Sequence, residues 1–334
     1  MSIKIANVSI GEKFPSYVIA EAGINHNGSL KVAKQLIRKA KLSGANAVKF
    51  QTFKATDIAS KSSPFYKILH KLELSEESFG ELSDYAKNKN ITFLSTPFSF
   101  DAVDILEKIK VPAYKIASGD LTHIPLIEYV AKKNKPIIIS SGMSTMDEIR
   151  FAVKKIKSLK NNKILIMHSV SGYPTPENEV NLNVIPNLKK IFDYPIGFSD
   201  NGSDKTVPLI AVALGGKIIE KHFTINKKMK GPDHKISADP HELKNMIHQI
   251  RKIESMMGNG KKICQPSELK NRIEARRSIM TKVPIKKNYK ITKEVITIKR
   301  PGIGLEPKYY SNVIGKKIKK NFLAEEPINW TDIK

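Results

Sequence analysis

Polar residues of chemically useful types stand at the ends of apolar runs throughout the first two thirds of this chain. Carboxylates and imidazoles serve as general bases, and amines bind anions such as phosphate. Imidazole is also a common metal ligand. Four groups carry these types: Glu21 with Asn25 and His26, Lys49 with Gln51, Lys115 with Ser118 and Asp120, and Ser199 with Asp200, His222 and Asp233.

Two lysines are the most telling members of these groups. Lys49 and Lys115 each stand inside an otherwise apolar run, VKFQ and YKIAS. A buried amine is costly unless an anion accompanies it. Together with the hydroxyls of Thr96, Ser118 and Ser140, the two amines suit a bound phosphate group. The alternative is that both lysines extend to solvent at the rim of the fold.

His222 follows the last of these apolar runs and could bind a divalent metal ion. Glu21 is a candidate second ligand or a general base. A lone histidine is more often structural, so the metal assignment needs support from other residues.

Eight apolar runs must position these side chains, and amphipathic stretches of helical period lie between the runs. A (β/α)8 barrel places its catalytic groups at the carboxyl ends of its strands. We therefore predict an α/β fold, a (β/α)8 TIM barrel with its active site at that end. The runs are YVIA before Glu21, AVKF with Lys49 and Gln51, ITFL before Ser95 and Thr96, AYKIA with Lys115 and Ser118, PIIIS at Ser140, KILIM before His168, YPIGF before Ser199 and Asp200, and KIIE at Glu220 before Lys221 and His222.

The character of the sequence changes near Asn259, and this change predicts a second domain. We place a TIM-barrel catalytic domain at 1–260, a linker at 261–275 and a small, mostly β domain at 276–334. Alternating apolar residues up to Pro15 predict a hairpin that plugs the barrel floor. The long segment from Thr52 to Leu74 predicts an irregular loop of the kind that forms lids.

Short β-type runs separated by turns fill the C-terminal domain. SIMTKVPI and VITIKRPG predict strands, and a last strand is expected around Pro327–Trp330. The segments 285–296 and 318–333 look like two degenerate copies of one unit. Because asparagine tolerates positive φ, Asn288 and Asn321 are expected to hold the two turns.

Composition disfavours several classes of protein. The 334-residue chain has a formal net charge of +25, and almost all of the excess is lysine spread along the helices. A nucleic-acid binder more often shows an arginine-rich cluster with interleaved aromatic residues, so no nucleic-acid partner is expected. No run approaches the roughly 20 apolar residues of a membrane span. One cysteine, Cys264, and an N-terminus without a signal peptide predict a cytoplasmic protein with no membrane partner.

As a set and in this order, the motifs of the chain resemble those of the sialic acid synthase family. The C-terminal segments VITIKRPGIGLEP and VIGKKI resemble the antifreeze-like (SAF) domain of that family. The resemblance spans essentially the whole chain and implies a TIM barrel followed by a SAF domain. It also implies a homodimer in which each SAF domain caps the other chain's barrel. The N-terminal motifs are AEAGINHNGS, VKFQTF, FLSTPF, AYKIASGD, IIISSGMST, YPTP, GFSD, EKHF and GPDH.

The activity implied by the resemblance is that of an N-acetylneuraminate synthase-type transferase. Such enzymes condense phosphoenolpyruvate with an N-acylated amino-hexose and water, giving a nonulosonic (sialic-type) acid and phosphate. The acceptor stays open between N-acetylmannosamine and a 2,4-diacetamido-trideoxyhexose. The phosphoenolpyruvate contacts would be Lys49, Thr96, Lys115, Ser118 and Ser140.

The resemblance also implies roles around the sugar and a metal ion. Manganese or magnesium would lie at His222 and Asn201. The expected catalytic residues are Glu21, Asp120 and Lys115, with one of the two carboxylates activating water. The sugar contacts would be Gln51, Tyr173, Ser199, Asp233 and Arg300, the last reaching the active site of a partner subunit.

Three departures from the family pattern bear on this interpretation. The family usually has histidine at the position of Asn201, and an amide oxygen suits hard ions better than transition metals. It often has glutamate at the position of Asp120 and asparagine at that of Ser171. Two alternatives stay open: another phosphoenolpyruvate–aldose 3-deoxy-keto-acid synthase, which usually lacks the SAF domain, and a non-catalytic sugar-binding paralogue.

Overall fold

The computed structural model describes residues 1–334, and an antiparallel hairpin opens the chain. Its strands are β1 (Ser2–Ile5) and β2 (Val8–Gly11), with Ile3 opposite Ile10. Ile3, Ile5 and Ile10 are buried and pack against the barrel interior. The predicted hairpin on the barrel floor is therefore present.

Eight parallel strands form the predicted barrel, in the order β5-β4-β3-β10-β9-β8-β7-β6. β5 and β6 lie side by side without a hydrogen-bonded ladder, so the barrel is nearly closed. The strands are β3 (Tyr17–Gly23), β4 (Ala47–Thr52), β5 (Thr92–Pro97), β6 (Tyr114–Ile116), β7 (Ile137–Ser140), β8 (Ile164–Ser169), β9 (Ile196–Asp200) and β10 (Ile218–His222).

Helices alternate with the strands, and several begin at side-chain caps. Ser29 accepts from the backbone N–H of Val32, and Thr145 and Asp239 form capping boxes. No helix combines the length and the apolar character that a membrane crossing requires. The helices are α1 (Leu30–Leu42), α2 (Ala55–Ile58), α3 (Tyr66–His70), α4 (Glu76–Asn88), α5 (Phe100–Lys108), α6 (Ile124–Lys132), α7 (Met146–Ser158), α8 (Val184–Ile191), α9 (Val207–Ala213) and α10 (Pro240–Met257).

The segment predicted as an irregular lid contains two short helices, α2 and α3. A small apolar cluster of Ile24, Phe53 and Leu72 anchors it beside the end of β3. Phe65 and Ile68 on its outer side are exposed. The segment is thus ordered and has a small core of its own.

Alternation along the strands divides the barrel side chains into two sets. One set packs outward against the helices, and the other points into the barrel. At the amino-terminal end the inward set is apolar, and we call it the floor layer. Its members are Tyr17, Ile19, Ala47, Leu94, Ala113, Ile138, Leu165, Met167 and Ile218.

The chain divides into two compact units, 1–258 and 259–334. The second unit contains α11 (Leu269–Ala275), the antiparallel pair β11 (Ser278–Thr281) and β12 (Ile296–Lys299), and the short helix α12 (Tyr310–Val313). Its core is aliphatic, built around Ile279, Ile296 and Ile328.

Two expectations for the C-terminal unit were wrong in detail. The last strand around 327–330 is absent: Pro327 makes one isolated bridge to Met280, and Trp330 begins a 3-10 turn. Backbone hydrogen bonds flank this bridge, from Thr281 to the Glu326 carbonyl and from Ile328 to the Ile279 carbonyl, but they do not extend into a ladder. Asn288 has the predicted positive φ of 70°, but Asn321 does not. Asn321 instead accepts the backbone N–H of Lys287 through Oδ1 at 2.8 Å.

Candidate active site

The inward-facing side chains change from apolar to polar towards the carboxyl ends of the strands. Side chains along a strand point to the same face at every second residue. The next inward-facing residue after the floor layer therefore belongs to this second set. We call it the site layer. Its members are Glu21, Lys49, Gln51, Thr96, Lys115, Ser140, Ser199, Glu220 and His222.

A quartet of two lysines and two glutamates lies at the centre of the site layer. Lys49 Nζ is 2.7 Å from Glu21 Oε2 and 3.7 Å from Glu220 Oε2. Lys115 Nζ donates to Glu220 Oε1 at 3.2 Å. All four residues are buried, with 2–4% of their surface exposed. Removing one member would leave a buried charge without its partner, so the quartet acts as one electrostatic unit.

Neutral polar groups complete this unit. Lys49 Nζ donates to Thr96 Oγ1 at 3.0 Å, and Ser199 Oγ donates to Glu220 Oε1 at 2.9 Å. Gln51 Nε2 donates to Glu21 Oε1 at 3.3 Å. Glu220 Oε2 makes no hydrogen bond. The quartet therefore keeps unused binding capacity inside the barrel.

The two glutamates have opposite pKa shifts. Burial raises the pKa of Glu21 to about 7, against the opposing effect of Lys49. Burial also works to raise the pKa of Glu220, but Lys115 and Lys49 outweigh it and lower that pKa to about 2. Glu220 is therefore a fixed anion, whereas Glu21 exchanges protons near neutral pH.

The two lysines also differ. Burial lowers the pKa of Lys115 despite Glu220 beside it. Burial opposes the charge of Lys49 too, but Glu21 and Glu220 together raise its pKa above the ordinary value. The predicted pair of buried lysines is present, and neither side chain extends to solvent.

Serine hydroxyls form a cradle beside Lys115. Ser118 Oγ accepts the backbone N–H of Gly142 at 3.1 Å, and the buried Ser140 Oγ has no partner. A Cβ atom at position 142 would lie 2.8 Å from Ser118 Oγ and would also collide with Ser171 Oγ. Glycine at this position lets the hydroxyls approach one another. The arrangement suits the oxygens of an anionic group.

Asp120 ends the 3-10 turn that follows β6. Its Oδ2 atom is buried and makes no hydrogen bond. Burial raises the pKa of this carboxyl group, and His123 opposes the shift. The residue is therefore a stronger base than an ordinary aspartate once it is ionised.

His222 presents an unused ring nitrogen. It is 8% exposed, and its Nδ1 makes no hydrogen bond. That atom lies 3.7 Å from Asp233 Oδ2, and the ring of Tyr173 meets the imidazole edge-on at 5.8 Å between centroids. Burial lowers the pKa of His222, so the ring is neutral and offers a lone pair.

Asn201 follows β9, the strand beside β10. Its Nδ2 donates to the Val170 carbonyl at 2.8 Å and to Ser169 Oγ at 3.3 Å, which leaves the side-chain oxygen free. Nowhere in the chain do three or more His, Cys, Asp or Glu side chains gather as a metal cluster. The neutral imidazole of His222 and the amide oxygen of Asn201 suit a hard divalent ion that keeps water or substrate oxygens as further ligands.

The structure gathers most of the residues that the sequence singled out. Contacts already described join the quartet to Gln51, Thr96 and Ser199, and His222 to Tyr173 and Asp233. Arg300 belongs to the second unit, where it precedes a cis proline. Sequence reasoning placed Glu220 at a strand end but gave it no role. Its inward position, two residues before His222 on β10, was the available signal.

Comparisons with known proteins agree with both units. The NeuB family model matches residues 36–262, and the SAF domain model matches residues 276–334. An uncharacterized protein of Methanocaldococcus jannaschii is 48% identical over 99% of this chain and 98% of its own. The N,N'-diacetyllegionaminic acid synthase of Campylobacter jejuni is 42% identical over 93% of this chain and 98% of its own. A crystal structure of N-acetylneuraminic acid synthetase from Leptospira borgpetersenii has a TM-score of 0.78 and 36% identity, covering 81% of this chain and 95% of that one.

Proposed function

Because this chain belongs to the NeuB family and carries a SAF domain, we propose that it is a phosphoenolpyruvate-dependent condensing enzyme. It joins phosphoenolpyruvate to an N-acylated amino-hexose, consumes one water molecule, and releases a nonulosonic acid and phosphate. The observation that carries the proposal is the buried lysine–glutamate quartet at the carboxyl end of the barrel. The quartet places two amines side by side at a buried position, where they can also bind the anionic groups of a substrate.

Phosphoenolpyruvate binds at Lys49, Thr96, Lys115, Ser118 and Ser140 in this proposal. Its phosphate and carboxylate groups meet both ammonium groups and the serine cradle. Thr96 already shares a hydrogen bond with Lys49, and Ser140 has a free buried hydroxyl. The low local dielectric strengthens each of these contacts.

The amino-hexose lies towards Gln51, Tyr173, Ser199 and Asp233. Its open-chain aldehyde faces the ring nitrogen of His222. We propose that His222 and Asn201 would hold manganese or magnesium there, and that such an ion would supply Lewis-acid polarisation of the aldehyde oxygen. The hard amide oxygen of Asn201 favours magnesium or manganese over softer metals.

The chain's own residues then guide the bond changes. C3 of phosphoenolpyruvate attacks the aldehyde carbon, the aldehyde oxygen takes up a proton to become a hydroxyl, and positive charge develops at C2. Water adds to C2 and gives a proton to a carboxylate, Asp120 or Glu21, each of which has a raised pKa. The C2 hydroxyl then loses its proton to form the keto group as the C2–O bond to phosphate breaks, and Lys115 and Lys49 stabilise the departing phosphate.

We also propose a homodimer with exchanged SAF domains, in which Arg300 completes the sugar site of the partner subunit. The resemblance to the sialic acid synthase family supports this arrangement. We propose a cytoplasmic location as well, which the same resemblance supports. The test of the dimer is the mass in solution, with Arg300→Ala expected to weaken sugar use.

The alternatives have less support. The C-terminal match to the SAF domain counts against a 3-deoxy-keto-acid synthase of the shorter type. The intact quartet counts against a non-catalytic sugar-binding paralogue. Among acceptors, the relative named for diacetyllegionaminic acid makes a 2,4-diacetamido-trideoxyhexose the first to test, and N-acetylmannosamine the second.

Phosphate release from phosphoenolpyruvate by the purified protein tests the proposal. Each acceptor is supplied with manganese, with magnesium and with EDTA. We expect release that requires the sugar and is abolished by EDTA. Folded protein that releases no phosphate with any sugar and metal would contradict the proposal and favour the non-catalytic alternative.

A further inference from the structure

The loop after β10, residues 224–239, is tied to the loop after β3 by a chain of side-chain hydrogen bonds. Asn27 Nδ2 donates to the Lys230 carbonyl at 2.9 Å. His234 Nε2 lies 3.3 Å from Asn27 Oδ1, and Thr224 Oγ1 lies 2.6 Å from His234 Nδ1. No residue of this chain of contacts belongs to the quartet or the serine cradle.

The donor and acceptor roles in this chain of hydrogen bonds are fixed by the contact between Asn27 and Lys230. The Asn27 amide nitrogen is committed to Lys230, so its oxygen faces His234 and must accept. The network therefore assigns the ring proton of His234 to Nε2 and leaves Nδ1 to accept from the Thr224 hydroxyl. Both ring nitrogens are thus satisfied, in contrast to the free Nδ1 of His222.

The two loops also approach closely. Thr224 and His234 are fully buried. A Cβ atom at Gly231 would lie 2.7 Å from His234 Cδ2 and 2.9 Å from Asn27 Oδ1. Only glycine lets the backbone lie against this pair. Asn27 itself has a φ of 52°, a conformation that asparagine tolerates better than most residues.

Asp233 is held from its other side as well. Ser237 Oγ donates a hydrogen bond to the Asp233 carbonyl at 2.6 Å. The same Oγ accepts a hydrogen bond from Asn25 Nδ2 at 2.9 Å. Asn25 Nδ2 also donates to the Phe223 carbonyl at 3.0 Å. Asp233 is therefore fixed on both sides by residues of the β3–α1 loop, with its carboxylate next to His222.

We propose that Asn27 and His234 form a latch that fastens the 224–239 loop to the β3–α1 loop and so holds Asp233 at the sugar end of the site. His234 is a positioning residue, because it acts through Asp233 and touches no substrate. The catalytic part of this inference rests on the proposed function, but the fastening of the loop does not.

Limited trypsin digestion reports the latch without any activity. The loop carries four cleavable lysines, Lys227, Lys228, Lys230 and Lys235, and the exposed Lys261 and Lys262 provide an internal reference. Asn27→Gly removes the side chain without straining the backbone. We expect cleavage within 224–239, relative to cleavage at 261–262, to rise about tenfold as the loop opens. An unchanged ratio would overturn the proposal.

Control variants separate the latch from a general loss of stability. Asn90→Gly alters another asparagine of positive φ, 54°, at the end of α4, and it should leave the ratio unchanged. Asn27→Asp keeps the acceptor for His234 and should raise the ratio less than Asn27→Gly. Asn27→Asp also serves as the test if Asn27→Gly fails to fold. The aspartate loses the hydrogen bond to the Lys230 carbonyl, so a cleavage ratio equal to that of the unaltered protein would likewise overturn the latch.

Kinetics then test whether the latch positions Asp233. In Asn27→Gly we expect the KM for the amino sugar to rise about tenfold and the KM for phosphoenolpyruvate to stay within about twofold. His234→Gln restores a donor towards Asn27 and should recover more of the sugar KM than His234→Leu. Equal changes in both KM values would contradict the positioning role. Absence of phosphate release in the unaltered protein would instead contradict the proposed function. The digestion experiment would still test whether Asn27 and His234 fasten the loop.

Discussion

The floor layer and the site layer lie inside the same barrel, at successive inward positions of its strands, yet they differ in almost every physical respect. The floor layer is aliphatic and aromatic and leaves a single buried polar atom, the Tyr17 hydroxyl, without a partner. In the site layer and the loops that follow it, six buried polar atoms have neither a hydrogen bond nor a close ion pair. They belong to Asn25, His26, Asp120, Ser140, Glu220 and His222.

The difference shows where stability and chemistry reside in this barrel. Burial of apolar side chains in the floor layer stabilises the fold by about 25 cal/mol per Å². Each unpartnered polar atom above it works against folding, by roughly 1–3 kcal/mol. The upper half therefore depends on the lower half for its stability, and a substrate would satisfy what the protein leaves unpaired.

The largest expected effect comes from the site layer. Lys115→Met keeps the length and apolar stem of the side chain and removes the amine beside Glu220. We expect kcat/KM to fall by about 1,000-fold, because the departing phosphate loses a charged partner. Phosphate-release kinetics measure the loss, and near-normal activity in this variant would contradict the role of the quartet.

Ile138 provides the matched change in the floor layer, because it pairs in register with Lys115 across β6 and β7. Ile138→Ala should lower the free energy of unfolding by about 2–5 kcal/mol. The kcat of the folded fraction should not change. Urea unfolding measures the free energy, and kinetics at urea concentrations below the unfolding transition measure kcat. A large fall in kcat would contradict the separation of stability and catalysis between the two layers.

Asp120 sharpens the comparison through pH. As a base it works when ionised, and burial raises its pKa, so activity should begin to fall at a higher pH than for an ordinary aspartate as the solution is acidified. Asp120→Asn should lower kcat by about 100-fold and remove this acidic limb. If the fall in activity at acidic pH persists in Asp120→Asn, the general base would be Glu21 instead, whose pKa is also raised.

Asn201 allows a prediction that needs no activity. Asn201→His replaces an amide oxygen with an imidazole next to His222, and nitrogen ligands bind manganese and zinc more tightly than an amide does. We expect manganese to bind at least about tenfold more tightly, as measured by calorimetry or electron paramagnetic resonance. His222→Ala should abolish binding in both backgrounds; binding that survives it would place the ion elsewhere.

The smallest expected effect on stability comes from Tyr17, the floor-layer residue whose buried hydroxyl has no partner. Tyr17→Phe removes a buried hydroxyl that makes no hydrogen bond. The free energy of unfolding should change by less than about 1 kcal/mol, towards greater stability. A clear loss of stability would show that this hydroxyl is satisfied in solution.

The sequence was most informative where one local pattern decides the structure. Strand alternation fixes which side chain points inward, so Lys49, Lys115 and His222 could be placed from their runs alone. The same rule would have assigned Glu220 to the site, since it shares the face of His222 on β10. Its role was missed because its partner Lys115 lies 105 residues away along the chain.

Features that depend on contacts between loops could not be predicted. The pairing of Asn27 with His234 joins residues 207 positions apart, and neither belongs to a periodic element. The missing last strand around Pro327 and the different roles of Asn288 and Asn321 have the same origin. Local propensity gave the two asparagines equal turn potential, and tertiary contacts then used one as a turn and the other as a hydrogen-bond acceptor.

We propose that the site layer condenses phosphoenolpyruvate with an amino-hexose by breaking the bond between C2 of phosphoenolpyruvate and its phosphate oxygen. The most direct test uses phosphoenolpyruvate labelled with ¹⁸O in its bridging oxygen, together with the 2,4-diacetamido-trideoxyhexose and the divalent ion. We expect the label in the released phosphate, in amounts equal to a nine-carbon 2-keto acid seen by mass spectrometry. Label retained in the organic product, or no sugar-dependent product from folded protein, would contradict the account.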